Sequence, residues 1–193
     1  MDGGVEGGAL EQPYANDPAN SGHANWDPEV MTKVCTGAVR RGWRIGTHAA
    51  ADRAVRALLD VYEAVVAQVG ELPPWTLVIE HALLSDPAQR ERAVKGGFGV
   101  TVQHPLLWNM SSEMLATWGP ERTRQVNPLD EWLALGADLA AGTDIVRPFN
   151  PDDQRVGDGH PGHQDGRRPG PRARDRRGHR AAAVYHGHRC PQP

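Results

Sequence analysis

The sequence predicts an α/β fold built around a parallel sheet, because strand-like and helix-like segments alternate over its first 150 residues. Four short apolar runs have the composition of buried strands, and segments with helical spacing of apolar residues separate them. A length of 193 residues suits one domain, with or without a tail. The predicted strands cover residues 43–47, 76–80, 98–102 and 137–141.

The predicted helices are bounded by residues that commonly begin and end helices. Asp-Pro pairs at 27–28 and 86–87 open the first and third helices, and Asp52 is expected to cap the second. Glycines follow the predicted ends, and the fourth helix covers 128–135. His104 precedes a proline and is expected in a loop.

Composition divides the chain into two parts. Residues 1–150 carry 12 Lys+Arg and 19 Asp+Glu, whereas residues 151–193 carry nine Arg and five Asp. The second part has no Leu, Ile, Met, Phe or Trp, so it cannot bury enough apolar surface to offset the entropy of ordering. We therefore expect a folded domain over 1–151 and a disordered tail, rich in Arg, Gly, His and Pro, over 152–193.

Charge and composition exclude several classes of protein. A net charge of -3 excludes a uniformly basic nucleic-acid binder, and the aspartates of the tail weaken its case as a nucleic-acid contact. No apolar run approaches the ~18 residues of a membrane span, and no secretory signal is expected. Cys35 and Cys190 lie far apart, which indicates a reducing compartment and hence a cytoplasmic location. The sequence leaves open whether the chain forms a homo-oligomer.

Polar residues follow each of the four predicted strands. They are His48, Glu80-His81, Gln103-His104 and Thr143-Asp144. Because the carboxyl ends of parallel strands share one edge of the sheet, these side chains are expected to converge. Two imidazoles and a carboxylate suit a borderline divalent metal such as zinc, and a carboxylate beside a metal-bound water can act as a general base.

Structural roles compete with this interpretation. A histidine at a strand end is often only a hydrogen-bonded structural residue, and spacing alone does not separate the two roles. Asp52 can serve as a helix cap without any role in chemistry. Glu80 can face away from His81, since neighbours on a strand lie on opposite faces of the sheet.

Several segments, in order along the chain, resemble the motifs of amidohydrolase family 3, metal-dependent hydrolases similar to N-substituted formamide deformylase. His48-Ala-Ala-Ala-Asp52-Arg-Ala resembles the family's His-Ala-x-Gly-Asp-Arg-Ala motif, with Ala51 in place of glycine. The resemblance runs from Met1 to Pro151. Its other matches are Asp2-Gly3, Pro13-Tyr14, Ile79-Glu-His-Ala82, Val100-Thr-Val-Gln103, Gly119-Pro-Glu-Arg122 and Ala141-Gly-Thr-Asp144.

The resemblance implies a (β/α)8 barrel, of which this chain would supply roughly strands four to eight, the C-terminal half. His48 and His81 match metal-binding histidines, and Asp144 matches an aspartate that neighbours the metal and moves the proton during catalysis. Gln103 and Asp52 would border the substrate. The implied cofactor is a divalent metal, zinc as one or two ions, and the implied reaction is hydrolysis of a carbon–nitrogen bond in a small-molecule amide or formamide that is not a peptide.

Some family features are missing from the sequence. No His-x-His motif precedes His48, the lysine of the Asp-Gly station would lie before Met1, and the small β-rich flanking domain is absent. A truncated, catalytically inactive fragment is therefore the alternative to an active hydrolase. Codons that encode residues 156–165 and 170–185, when read in a frame shifted by one base, can encode peptides similar to the family's sequence at this point. We hypothesise that a one-base frameshift near Pro151 produced the tail.

Overall fold

A computed structural model describes residues 1–144, and the predicted tail with its boundary at 151 lies outside them. The described residues form one sheet of four parallel strands in the order β1-β2-β3-β4, so each strand pairs with the next one along the chain. The parallel α/β class is confirmed. The resemblance to a barrel segment of roughly strands four to eight implied five strands. The described residues form four, because residues 1–26, before the first helix, lie in turns and irregular structure. The strands are β1 (Ile45–Ala49), β2 (Leu77–His81), β3 (Gly99–Val102) and β4 (Leu139–Ala141).

Helices connect the strands, and one further helix precedes β1. The amino ends of α1 and α3 confirm the expected caps, since Asp27 accepts hydrogen bonds from two backbone N–H groups of its helix and Asp86 forms a capping box with Gln89. The helices are α1 (Pro28–Val39), α2 (Asp52–Val69), α3 (Pro87–Lys95), α4 (His104–Thr117), α5 (Pro120–Thr123) and α6 (Leu129–Ala134).

Two expectations about helices are wrong. Ala51, with extended backbone and no capping side chain, is the cap of α2, so Asp52 is its first helical residue. An acidic side chain in the first turn still suits the positive end of the helix dipole. His104 begins the 14-residue α4 and does not lie in a loop. The sequence hides α4 because Gln103 gives it no side-chain cap bond and few of its residues are buried.

The first two strands extend further at their carboxyl ends than the sequence predicts. The observed β1 and β2 end at Ala49 and His81, whereas the predicted strands end at 47 and 80. Pairing explains the extension, because His48 lies opposite Glu80 and Ala49 lies opposite His81 in the ladder. Both histidines are therefore held by strand hydrogen bonds.

Two apolar clusters surround the sheet. The larger packs α1 and α2 against the strands, and Tyr62 in its centre donates a hydrogen bond to the Val78 carbonyl and meets the Phe98 ring at 5.3 Å. The smaller joins the N-terminal segment to the end of α4, where Trp118 Nε1 donates to the Val5 carbonyl at 2.9 Å. The second cluster keeps residues 1–14 against the carboxyl end of β1. Within residues 1–144 no helix is long and apolar enough to cross a bilayer.

Cys35 offers a test of the larger cluster. Its side chain is 1% exposed, and burial raises the pKa of the thiol, so the reactive thiolate is scarce in the folded state. In a Cys190→Ser variant, we expect iodoacetamide to alkylate Cys35 at least about 100-fold more slowly in buffer than in urea, as measured by mass spectrometry. Equal rates would contradict the packing of α1 against α2.

Candidate functional site

The carboxyl ends of β1 and β2 bring two imidazoles into contact. The ring centroids of His48 and His81 are 4.6 Å apart, with the planes inclined at 69°. Simple alternation along β2 would place His81 on the face opposite Glu80. However, His81 and Ala82 have φ of 79° and 44°, so the strand geometry breaks where the imidazole reaches His48. A left-handed backbone at a residue other than glycine costs about 1–2 kcal/mol, and such strain is concentrated at functional sites.

A chain of hydrogen bonds extends from His81 into the sheet. His81 Nδ1 and Gln103 Oε1 are 2.7 Å apart, and Gln103 Nε2 donates to Thr101 Oγ1 at 3.0 Å. The Thr101 hydroxyl donates in turn to Glu80. Glu80 is thus connected to His81 through β3, even though the two residues are neighbours on β2.

Asp144 faces the other nitrogen of His81. Asp144 Oδ2 is 3.8 Å from His81 Nε2, and the carboxylate side chain is 58% exposed. The structure therefore brings His48, His81 and Asp144, the three residues predicted as metal neighbours, to the same edge of the sheet. An exposed carboxylate beside a mostly buried imidazole can take up or release a proton from solvent.

Burial controls the protonation of His81. Desolvation lowers the pKa of this imidazole below its ordinary value of 6.5, and the nearby His48 lowers it further. The hydrogen bond with Gln103 and the charge of Asp144 act in the opposite direction but do not cancel the effect. His81 is consequently neutral at neutral pH, which is the form that binds metal ions.

Asp2 supports His48 from the N-terminal segment. Its carboxylate is 6% exposed and accepts backbone hydrogen bonds from Ala9, Ala50 and Ala51 at 3.0, 3.0 and 3.1 Å. Asp2 Oδ1 also lies 3.2 Å from His48 Nδ1, within ion-pair distance but without hydrogen-bond geometry. In the sequence Asp2 stands out only as part of an Asp-Gly match, because nothing local indicates partners nearly 50 residues away.

The two predicted substrate neighbours have different surroundings. The Gln103 amide lies at the site but is hydrogen-bonded at both ends, to His81 and to Thr101. The Asp52 carboxylate accepts from the backbone N–H of Glu11 and of Arg53, both at 2.9 Å, at the start of α2. Asp52 therefore joins the N-terminal segment to α2, while Gln103 belongs to the imidazole cluster.

The cluster fits part of a metal site. Neutral imidazoles and a carboxylate are the donors that zinc prefers, and His81 Nε2 is directed toward Asp144. Across residues 1–144, however, no three His, Cys, Asp or Glu side chains lie close enough together to hold an ion as they stand. The donor chemistry fits, whereas the spacing of the described side chains does not complete a site with three ligands.

Comparison with known proteins identifies a family for this chain. Residues 2–153 match the sequence model of the amidohydrolase family. The chain is also similar to the protein LONG AFTER FAR-RED 3 of Arabidopsis thaliana, with 30% identity over 142 residues that cover 72% of this chain and 24% of that protein.

Two solved structures share the fold. An uncharacterized metal-dependent hydrolase from Pyrococcus furiosus superposes with a TM-score of 0.70 at 23% identity, over 81% of this chain and 32% of that one. A second, from Pyrococcus horikoshii OT3, gives 0.65 at 27% identity, over 75% and 28%. The chain thus spans about a quarter to a third of the length of these relatives.

Removing the Asp2 carboxylate should destabilise the fold. Asp2→Ala leaves three backbone N–H groups without their acceptor, so we expect a loss of about 2–4 kcal/mol in the free energy of unfolding in urea. Asp17→Ala is the matched control, because the Asp17 carboxylate accepts an exposed local bond from Ala19 and should change stability by less than about 1 kcal/mol. Equal losses in both variants would contradict the role of Asp2.

The lowered pKa of His81 makes stability depend on pH in a defined direction. The unfolded state binds a proton at higher pH than the folded state, so this contribution is fully present above 6.5 and is lost as pH falls below that value. We expect His81→Gln to reduce the loss of stability on acidification, as measured by urea unfolding with a chelator present. His23→Gln, at an exposed position, should keep the full loss of stability on acidification. Parallel profiles for all three proteins would contradict the assignment.

Proposed function

Because the chain belongs to the amidohydrolase family, we propose that it is a hydrolase of carbon–nitrogen bonds in small amides or formamides other than peptides. One observation carries the proposal: two imidazoles 4.6 Å apart, with an exposed carboxylate 3.8 Å from His81, at the carboxyl end of a parallel sheet. That edge is where α/β folds place their chemistry. The similarity of the sequence motifs to those of N-substituted formamide deformylase favours a formamide among the candidate substrates.

The proposed cofactor is a divalent metal, with zinc as the first choice. His48, His81 and Asp144 are the residues that would hold it. When bound, such an ion lowers the pKa of water toward ~7 and polarises a carbonyl oxygen. The name of the Pyrococcus horikoshii relative, a metal-dependent hydrolase, supports a metal cofactor and does not specify which metal.

The chain's own residues supply proton transfer and orientation. In this proposal the Asp144 carboxylate, which is open to solvent, would accept a proton from the attacking water and return it to the leaving nitrogen. His81, neutral and largely buried, keeps its Nε2 directed toward that carboxylate. Since both ends of its amide are engaged, Gln103 is better suited to holding His81 than to binding substrate, and Asp52 to holding the start of α2.

An inactive polypeptide is the second candidate. It is favoured by one observation, that the described part of the chain places no three metal-binding side chains at ligand distance. In that case the imidazole pair would be a structural cluster, and metal would bind weakly or only at exposed histidines.

Metal binding and hydrolysis distinguish the two candidates. We expect the purified chain to bind Zn²⁺ with a stoichiometry of at least one in calorimetry, and to release amine from a panel of N-substituted formamides and simple amides. His81→Asn should weaken binding by about 100-fold or more and abolish turnover, because it removes a ligand. His23→Asn, in the exposed N-terminal loop, should change neither. Absence of both binding and turnover in the unsubstituted chain would contradict the proposal.

A further inference from the structure

We propose that Glu80 and Thr101 are positioning residues, which act through Gln103 to hold His81 as a single neutral tautomer with the proton on Nδ1. The role of this tautomer in metal binding rests on the proposed function, because His81 is assigned there as a metal ligand. The position of the proton on the His81 ring does not depend on hydrolysis.

The order of donors and acceptors gives the position of the proton. A carboxylate only accepts, so the single hydroxyl proton of Thr101 is donated to Glu80. Thr101 Oγ1 then accepts from Gln103 Nε2 at 3.0 Å, which leaves Gln103 Oε1 directed toward His81. An amide oxygen cannot donate, so the 2.7 Å contact requires a proton on His81 Nδ1.

The reverse orientation of Gln103 is disfavoured by the same chain. If the amide turned over, its oxygen would face Thr101 Oγ1, whose proton is already donated to Glu80. Two acceptors would then be opposed in a buried place, and Gln103 is 5% exposed. Leaving buried polar atoms unpaired is unfavourable, so the observed orientation of Gln103 is strongly preferred.

Backbone geometry holds the three relay residues, Glu80, Thr101 and Gln103, on the same face of the sheet. Glu80 and Thr101 are partners in the β2–β3 ladder, and Gln103 follows Thr101 by two residues. Gly46 on β1 makes room for the carboxylate, because a Cβ at this position would lie 2.5 Å from Glu80 Oε1. Because Gly46 has no side chain, the Glu80 carboxylate can occupy the space beside β1.

A proton on Nδ1 leaves the lone pair of His81 on Nε2. That nitrogen is 3.8 Å from Asp144 and on the side of the ring away from Gln103. A ligand histidine fixed through its second nitrogen has a fixed tautomer and ring orientation, and loss of such support weakens metal affinity by about 10–100-fold. The relay therefore prepares Nε2 to bind a metal.

The tautomer can be measured directly in the full chain. We would label its nine histidines with ¹⁵N and record long-range ¹H–¹⁵N spectra without metal, at a pH well above 6.5. Loss of signals in His81→Asn assigns the ring. We expect the unsubstituted chain to show a protonated Nδ1 and an unprotonated Nε2 at His81.

Two pairs of variants test the relay. Thr101→Val keeps the shape but removes the hydroxyl, so we expect the Nε2-protonated tautomer to appear, whereas Thr101→Ser should retain the original spectrum. Glu80→Met removes the acceptor and should shift the tautomer in the same way, whereas Glu80→Gln still offers an oxygen to Thr101 and should not. Thr76→Val is the control, since it deletes a buried hydroxyl bond to Pro73 at the opposite end of the sheet.

Metal affinity supplies a second measurement. We expect Thr101→Val and Glu80→Met to raise the dissociation constant for Zn²⁺ by about tenfold or more, and Thr101→Ser and Glu80→Gln by less than about threefold. A folded Thr101→Val or Glu80→Met that keeps the proton on Nδ1 would overturn the proposal, and so would an unprotonated Nδ1 in the unsubstituted chain. A tautomer shift in a chain that binds no Zn²⁺ would sustain the relay while the proposed function failed.

Discussion

The parallel pairing of the first three strands is the constraint on which the site depends. Because His48 is opposite Glu80 and Glu80 is opposite Thr101, backbone pairing brings three polar side chains from three strands into line, where the Thr101 hydroxyl donates to Glu80. A slip of one residue in either ladder would move a whole strand's side chains to the other face. The alignment is enforced by backbone hydrogen bonds and by the apolar core on the helical side of the sheet.

Strain and burial at His81 are both unfavourable for folding taken alone. Its left-handed backbone and its desolvated ring are maintained by the surrounding structure, which supplies a buried amide on one side and the His48 ring on the other. A core built only for stability has no need of either feature. Their coincidence at the carboxyl end of a parallel sheet is the reason for proposing a functional role for this histidine.

Local signals were sufficient to predict β2 and α3. The run from Thr76 to Glu80 is rich in β-branched and apolar residues, and Asp86-Pro87 supplies the cap and first turn of α3 in adjacent positions. The proximity of His48, His81 and Asp144 followed from the rule about parallel strands and from the family resemblance. In these cases the physical cause lies within a few residues or in the topology, and both can be inferred from sequence.

The rest depended on contacts between distant segments. Helix α4 is stabilised where Met114 and Trp118 meet the N-terminal segment, and Asp2 takes its role from amides nearly 50 residues away. The hydrogen bonds through Thr101 could not be inferred either. They depend on His81 leaving the alternation of side chains along β2, and no neighbouring residue in the sequence indicates its left-handed backbone. The shift of the cap from Asp52 to Ala51 has the same origin, since the Ala51 amide is bound by Asp2.

The hydrogen bond between Trp118 and Val5 joins residues 113 positions apart, and it bears on the order of events during synthesis. Val5 leaves the ribosome long before Trp118, and it has no aromatic partner from α4 until most of the described chain has emerged. The sheet can begin to pair earlier, since each strand joins its successor. The contact of Val5 with Trp118 is consequently among the later ones to form, whereas Asp2 can bind the amides of Ala50 and Ala51 as soon as the residues after β1 have emerged.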